Sequence, residues 1–384
     1  MKKISNWLLV PLTGLVFYQC RTAQPLSTLS ARVTTDGFIT CFEPNLAEGK
    51  TWCEASAVLA QGDRLYLAND KDMPPPRSSV FYLSGLPNYI AQPDAAQPDA
   101  AQPNAGQPGA VQPNAVQTEP VYLEQRALQR AHKFEEFAQS PDQRWTFLTT
   151  AFDRIKPGST DFDGYNMLLA WHPGQEGDVQ VIGGRPGDST SLGLRQQLQQ
   201  VLGGSPYFKI EGLAATNTDL WFGVREQGER FDKFEYRITI LKVPYSTQKG
   251  PDGADRVVLG TLELVRNFDI SGVDASLPKP LAISSIEYDP ARRCFWILTS
   301  LEQAEKIGAY LWVISEKDMQ TTANLQLIRT PDGKPLIFTH KAEDMTFTDR
   351  NTLFIIHDDD RLRTTIGSQE RQPNQAAYSV VRID

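Results

Sequence analysis

Hydrophobic and polar positions repeat along this chain in five similar units. Each unit is a short apolar segment, a polar or glycine-containing turn, and a second apolar segment that ends on polar residues. The units cover residues 53–70, 134–150, 210–225, 283–300 and 342–358. This pattern predicts a pair of antiparallel strands in every unit. A unit of this size cannot bury its apolar faces alone, so the five copies are expected to stack or to close into a ring.

Two further strand-like segments follow each of the first four units. They are residues 78–83 and 120–125, 165–171 and 178–184, 235–243 and 256–265, and 309–315 and 323–329. Four strands per unit are typical of a propeller blade, so the sequence predicts an all-β fold, a five-bladed β-propeller of four-stranded blades. Helices are expected only within residues 123–132 and 191–203.

The fifth unit is followed only by residues 378–384, which leaves its blade one strand short. We expect residues 31–42 to supply that strand, which would close both ends of the chain in one blade and remove an exposed sheet edge. A β-sandwich and an open β-solenoid are the alternatives. A sixth blade is not excluded, because the long intervals after Glu135 and Glu211 have room for one.

A low-complexity segment at residues 91–120 interrupts the first blade. It repeats every five residues as AQPDA, AQPDA, AQPNA, GQPGA and VQPNA, and ends in VQTEP. Regularly spaced proline without large apolar side chains predicts an extended, solvated loop with polyproline character. The predicted organisation is therefore a single propeller domain over residues 32–384 with one insertion.

Residues 1–23 have the pattern of a signal peptide. Lys2 and Lys3 precede an apolar stretch over residues 7–18 that is too short for a comfortable membrane span. We expect export to the periplasm or the exterior of a bacterial cell, with no integral membrane domain beyond this signal. Ordinary cleavage, an uncleaved anchor and lipid attachment at Cys20 are all left open, although Gln19 is larger than the residue that usually precedes a lipidated cysteine.

Export would place the cysteines in a compartment that permits disulfides. Cys41 and Cys53 lie close in sequence, either as a disulfide or as two unpaired buried thiols. Cys294 begins an apolar strand and is predicted to be a small core residue. The formal net charge of −8 argues against nucleic acid or an anionic membrane as the main partner, because both favour a basic surface.

Alignment of the five units places polar residues at two positions that meet at one end of the channel. The first position holds Glu54, Glu135, Glu211, Ser284 and Glu343, and the second holds Asp70, Thr150, Arg225, Ser300 and Asp358. Lys133, Lys209 and Lys341 stand two residues before three of the glutamates and therefore on the same side of the strand. Converging carboxylates repel one another, so the lysines, Arg225 or a bound metal ion must compensate for their charge.

Salt bridges repeated between blades would produce the same pattern without any ligand, and this structural interpretation remains open. Departures from the fivefold pattern favour a functional site. Arg225 is suited to a bidentate contact with carboxylate or phosphate. His357 can transfer protons, although a single histidine is often only a structural hydrogen-bonding group. We therefore predict catalytic roles for Glu211, Arg225 and His357.

The other charged residues are predicted to bind a ligand and a metal ion. The predicted ligand-binding residues are Lys133, Glu135, Lys209 and Lys341. The predicted ligands of a divalent cation such as Ca²⁺ are Glu54, Asp70, Glu343 and Asp358. The sequence has no G-x-S-x-G motif, no H-E-x-x-H motif and no Cys/His metal spacing, so any site must combine residues from several blades.

One unit resembles a known group of proteins. Residues 209–226, KIEGLAATNTDLWFGVRE, are similar to a repeated unit of exported bacterial propellers, and residues 341–360 share this similarity to a lesser degree. Those propellers belong to a poorly characterised family and to the related group labelled for esterase-like activity of phytase. The resemblance implies a propeller fold and hydrolysis of a phosphoester or carboxylester. It points to Glu211 and Arg225, but no catalytic residue set of the family maps onto this chain.

Two functions are therefore compatible with the sequence. The first is an exported hydrolase that acts on a phosphorylated or carboxylated small molecule. In it, lysines and Arg225 would bind the anionic group, and carboxylates would hold a metal ion. The second is a non-catalytic propeller that binds a small molecule, a glycan or a protein at the channel mouth. The sequence names no substrate, metal or oligomeric state.

Overall fold

The computed structural model describes residues 26–43, 52–90, 119–183, 188–303 and 306–384. The predicted signal peptide with Cys20, and residues 91–118 of the predicted insertion, lie outside the described residues. None of the helices in the described ranges is long and apolar enough to cross a membrane.

Five antiparallel sheets account for nearly all the strands, and each sheet contains one of the sequence units. Strand β1 (Ala31–Thr40) belongs to blade 5. Blade 1 consists of β2 (Ala55–Gln61), β3 (Arg64–Asn69), β4 (Val80–Ser84) and β5 (Val121–Tyr122). Blade 2 consists of β6 (Phe134–Gln139), β7 (Thr146–Thr150), β8 (Leu168–Trp171) and β9 (Gln180–Val181).

The remaining blades carry additional short strands. Blade 3 consists of β10 (Tyr207–Ala215), β11 (Asp219–Arg230), β12 (Lys233–Lys249), β13 (Asp255–Leu259) and β14 (Glu263–Asn267). Blade 4 consists of β15 (Ala282–Asp289), β16 (Cys294–Gln303), β17 (Lys306–Ser315), β18 (Gln326–Leu327) and β19 (Ile337–Phe338). Blade 5 consists of β20 (Ala342–Asp349), β21 (Thr352–His357), β24 (Gln375–Ile383) and β1, with a small hairpin of β22 (Thr365–Ile366) and β23 (Gln369–Glu370).

Helices are short and lie between strands. They are α1 (Pro87–Ile90), α2 (Arg126–Arg130) and α3 (Leu192–Val201), with 3₁₀ turns at Leu26–Thr28, Asp163–Tyr165 and Asp318–Gln320. The two predicted helical regions contain α2 and α3, whereas α1 lies outside them and was not predicted.

The five innermost strands form a closed ring. Strand β2 contacts β6 and β20, β10 contacts β6 and β15, and β15 contacts β20. This order returns to its starting point after five blades, which confirms the predicted five-bladed propeller and leaves no place for the sandwich or the open solenoid. No sixth four-stranded sheet occurs among the described residues. The long intervals instead hold α3 and the extended β11–β12 hairpin.

Blade 5 joins the two ends of the described chain, as predicted. Strand β1 pairs antiparallel with β24 from Ala31 opposite Ile383 to Thr40 opposite Gln375. A disulfide connects blade 5 to blade 1, because Cys41 follows β1 and is bonded to Cys53, which precedes β2. The open question about these two cysteines is thus decided in favour of the disulfide.

Apolar side chains are buried between blades. Five clusters of buried residues fill the five interfaces, one between each pair of neighbouring blades. Cys294 is a free, buried thiol in the cluster between blades 4 and 5, which confirms its prediction as a core residue. Burial of apolar area at every interface favours closure, since an open ring would expose two of these faces to water.

One strand prediction was wrong in detail. Residues 256–265 were expected to form one strand, but they contribute to two, β13 and β14, which both pair with β12 at different positions. The reason is the length of β12, which provides two separate stretches of backbone for pairing. Its other end extends beyond the sheet and forms the tip of a hairpin with β11.

Candidate functional site

Each inner strand contains a β-bulge near the same end of the channel. The strand register shifts between Ala55 and Ala57 in blade 1, and at the corresponding place in the other four blades. The bulged residues are Ser56, Glu135, Glu211, Ser284 and Glu343. A bulge alters the direction of the side chains around it, so polar residues gather at this end of the channel. The first predicted position is therefore right in four blades and wrong in blade 1.

Glu54 occupies the position that lysine holds in other blades. The N–H of Asp70 donates to the carbonyl of Glu54 at 2.8 Å, and the N–H of Asp358 donates to the carbonyl of Lys341 in the same way at 2.9 Å. The alignment of Thr150 was also wrong by one residue, because Ala151 makes the equivalent bond to Lys133. The same error occurred at Ser300, which lies opposite Ala282 as Asn69 lies opposite Ala55. At the position of Glu54, blade 1 therefore carries a negative side chain where other blades carry a lysine. Glu54 forms an ion pair with Lys71, with 2.5 Å between Oε2 and Nζ.

A cavity of about 760 Å³ opens at this end of the channel. Most of the predicted site residues line it: Glu54, Asp70, Lys133, Glu135, Lys209, Lys341, Glu343 and Asp358. The three residues predicted to be catalytic, Glu211, Arg225 and His357, are not part of its lining.

Lys209 joins the carboxylates of two blades. Its Nζ contacts Glu211 and lies 3.5 Å from Oε1 of Glu135. Burial favours the neutral form of Lys209, but the charges of Glu135 and Glu211 outweigh it and hold the pKa of the lysine well above its usual value. Burial is the stronger effect at Glu135, whose pKa is raised well above its usual range despite Lys209.

Arg225 and Glu211 lie beneath the cavity, between blades 3 and 4. The Arg225 guanidinium is 3.2 Å from Glu211 and donates to the carbonyl of Ile283 at 3.1 Å and to Oγ of Ser300 at 2.9 Å. Burial opposes ionisation of Glu211, but Arg225 and Lys209 outweigh it and lower the pKa of this carboxyl. The ion pair therefore lies within blade 3, and the hydrogen bonds of Arg225 connect it to blade 4. A catalytic role for either residue stays a prediction.

Blade 5 contributes a second lysine and carboxylate pair. Lys341 lies 2.9 Å from Glu343. Burial raises the pKa of Glu343 to about 7, in spite of the neighbouring lysine charge. Burial likewise raises the pKa of Asp358 well above its usual value, with Lys341 opposing and Glu343 adding to the effect.

Three carboxylates are close enough to hold one cation. Oxygens of Glu54, Asp358 and Asp360 all lie within 4.8 Å of one another. Two of these residues were predicted metal ligands. Asp360 was not, and the predicted ligands Asp70 and Glu343 are outside this group.

Blade 2 contributes a pair that the sequence did not indicate. Lys133 lies 2.9 Å from Asp153, which also accepts hydrogen bonds from Arg154. Burial would raise the pKa of Asp153, but Arg154 and Lys133 lower it to about 2. Lys133 therefore pairs with Asp153 and not with Glu135, its partner in the sequence pattern.

The placement of His357 at the channel mouth was wrong. Successive residues of a strand face opposite sides, so His357 points away from the cavity that Asp358 lines. Its ring is buried near Phe338 and His340, and Nε2 is 2.8 Å from Oγ of Ser379. Burial, with a smaller contribution from His340, lowers the pKa of His357 to about 3, so it is a neutral group of the blade interior.

A second acidic cluster lies one residue further along the inner strands. Oγ of Ser285 is 2.6 Å from Glu136 and 3.0 Å from Asp344. Burial raises the pKa of Asp344 to about 7 and that of Glu136 well above its usual range. The two carboxyls also accept backbone N–H groups of Val58, Leu213, Ile286 and Met345. All five blades are thereby connected at the axis.

Sequence reasoning missed this cluster, although a signal was present. Glu136 and Asp344 each follow a bulged glutamate, as the second member of an acidic pair. A strand normally directs only one of two neighbouring residues to a given face, so the alternating pattern does not predict a second acid at the channel. The bulge is what brings both to the channel.

No protein-family model matches the chain, and no curated protein sequence matches it. The phytase-like resemblance therefore stays an expectation. Solved structures with a similar fold include the aldose sugar dehydrogenase of Streptomyces coelicolor with bound PQQ, at 12% identity and a TM-score of 0.36, with 94% of this chain and 100% of that chain covered. Another is a GH62 α-L-arabinofuranosidase of Coprinopsis cinerea, at 8% identity and a TM-score of 0.42, with 93% and 98% covered. At these TM-scores the likeness carries no argument about activity.

Proposed function

We propose that this propeller is an exported hydrolase that binds a small phosphoester or carboxylester in the channel-mouth cavity with the help of a divalent cation. One observation carries the proposal. The carboxylates of Glu54, Asp358 and Asp360 lie within 4.8 Å of one another and line the same cavity as four lysines, Lys71, Lys133, Lys209 and Lys341. Carboxylate oxygens are the ligands that Ca²⁺ and Mg²⁺ prefer.

Each set of residues has a separate task in this proposal. A cation held by the three carboxylates would lower the pKa of a bound water and offset charge on the ester. Lys133, Lys209 and Lys341 come from three blades and would bind the oxygens of a phosphate or carboxylate as charged donors. Because fixed donors orient the ester before reaction, little reorganisation would be needed.

Export is part of the proposal. The disulfide between Cys41 and Cys53 supports it, because disulfides persist mainly in oxidising compartments.

Cation binding is the first test, by isothermal titration calorimetry with Ca²⁺, Mg²⁺ and Mn²⁺. Asp360→Asn should weaken binding about tenfold or more, since a charged ligand is lost. Asp360 has a positive φ of 48°, which asparagine tolerates, so the backbone should be preserved. Asp332→Asn is the matched control, because Asp332 also lies beside a lysine but is outside the cavity. Absence of binding by the wild type at millimolar cation would refute the metal site.

Turnover is the second test. We expect hydrolysis of 4-nitrophenyl phosphate or 4-nitrophenyl acetate that is abolished by a chelator, restored by the cation, and lost in Asp360→Asn but not in Asp332→Asn. Cation binding without turnover of any substrate in a broad ester panel would contradict the hydrolase.

A non-catalytic binding propeller is the second candidate, and the ion pairs favour it. Lys133 is 2.9 Å from Asp153, Lys341 is 2.9 Å from Glu343, and Lys209 is 3.5 Å from Glu135. With these charges already balanced, the cavity would also suit a neutral polyhydroxylated ligand such as a glycan. Saturable binding of an oligosaccharide without its cleavage, together with the absence of ester hydrolysis, would favour this candidate.

A further inference from the structure

The lining of the channel-mouth cavity is divided between blades. Blades 1 and 5 contribute charged side chains and Ser56. All the aromatic side chains come from blades 2 and 3: Phe162, Tyr207, Phe231, Phe234 and Tyr236. The cavity therefore has a charged half and a half that is partly aromatic.

The rings of blade 3 form a continuous surface. The centroid of Phe234 lies 5.7 Å from that of Tyr207 and 5.2 Å from that of Tyr236. The Arg225 guanidinium lies over the ring of Tyr236 at 5.5 Å. The hydroxyl of Tyr207 donates to Glu226, which holds that ring in place. These rings lie on paired strands, so their positions are fixed before a ligand arrives.

Two apolar side chains at the cavity are left exposed to solvent. Phe231, at the tip of the β11–β12 hairpin, is 75% exposed, and Ile155 of blade 2 is 45% exposed. A single exposed apolar residue is ordinary, but apolar groups grouped within a polar cavity are typical of a ligand-binding surface. A ligand that covered Phe231 would gain the apolar area that folding has left in water.

We infer that the cavity recognises a ligand with two unlike ends, an anionic group and an aromatic ring. The anionic group lies toward blades 5 and 1, where Lys341 and the carboxylates proposed to hold the cation line the cavity. The ring packs on Phe231 and Phe234, because aromatic pairs contribute binding energy beyond their buried area. This inference rests on the proposed function and specifies its substrate class as aryl esters rather than small alkyl esters.

The test compares two probes of equal charge, phenyl phosphate and methyl phosphate, by calorimetry with the full protein and saturating cation. Phenyl phosphate should bind about tenfold more tightly, which corresponds to about 1.4 kcal/mol. Phe231→Ala and Phe234→Ala should each weaken the binding of phenyl phosphate about threefold to tenfold and leave the binding of methyl phosphate unchanged. Leu264→Ala is the matched control, since Leu264 is 51% exposed on β14 of the same blade and does not line the cavity.

The outcomes separate this inference from the proposed function. Equal binding of the two probes overturns the inference and leaves the hydrolase intact. Failure of both probes to bind overturns the inference and removes phosphoesters from the proposed function. Tight phenyl phosphate binding that is lost in the two phenylalanine variants, without any hydrolysis, supports the inference and removes the hydrolase. If Leu264→Ala weakens phenyl phosphate binding as much as the two phenylalanine variants do, the ligand ring does not pack on Phe231 and Phe234, and the inference is overturned.

Discussion

Replacement of Arg225 by methionine tests whether the ion pair beneath the cavity stabilises the ring. Arg225 and Glu211 are 1% and 2% exposed. The substitution keeps most of the side-chain volume but leaves Glu211 with Lys209 as its cationic partner, and it removes the hydrogen bonds to Ile283 and Ser300. Loss of one member of a buried ion pair costs about 3–5 kcal/mol, because the remaining charge stays buried.

The expected change in melting temperature follows from the chain length. Unfolding entropy is about 2.1 cal/mol/K per residue, or about 0.8 kcal/mol/K for 384 residues, so Arg225→Met should lower the Tm by about 4–6 °C. Differential scanning calorimetry measures this shift. Arg363→Met is the control, because Arg363 is exposed beside Glu370 and such surface pairs contribute about 0–1 kcal/mol.

A double-mutant cycle isolates the pair itself. Glu211→Gln combined with Arg225→Met should cost less than the sum of the two single changes, because each single change already removes the same ion pair and the double variant loses it only once. A Tm for Arg225→Met within about 1 °C of the wild type would refute the structural reasoning. Arg225 would then be dispensable to the fold, as expected of a functional residue held under strain.

Three further predictions concern the rest of the fold. Deletion of residues 378–384 should lower the Tm sharply, because β24 pairs with both β1 and β21; unchanged melting would contradict the closure. Excision of residues 91–118 should leave the Tm nearly unchanged, as the sequence predicts no packed contacts there, whereas loss of soluble expression would indicate a structural role. Burial raises the pKa of Asp344 to about 7, so its contribution to the free energy of unfolding is present below about pH 4 and is lost as the pH rises through about 7. Asp344→Asn should flatten this decline in urea unfolding from pH 4 to 8; parallel profiles for variant and wild type would contradict it.

Much of the fold could be predicted from sequence because it depends on repetition. The five units, the four strands per blade and the pairing of residues 31–42 with the C-terminal strand all follow from apolar periodicity, which reports buried faces directly. The extended hairpin could not be predicted in this way, since Phe231 and its neighbours are not constrained by burial in a sheet.

The site was predicted less completely, because its geometry depends on strand register. A bulge changes which side chains face the channel, and a pattern of alternating residues does not reveal it. Glu54 was therefore aligned two residues away from its structural position, and His357 was placed on the wrong side of its strand. Asp360 was missed because it follows β21 in a loop, where no periodicity applies.

The closing pair in blade 5 has a consequence for the order of folding. Arg32 of β1 bonds Asp384 across a separation of 352 residues, so the contact can form only after the residues between them have been synthesised. Until β24 arrives, β1 lacks its partner, and an unpaired strand edge can pair with other chains. Contacts between such distant residues also slow folding, since a long loop must close before they form. Newly made protein would therefore be most vulnerable to aggregation in the interval before ring closure.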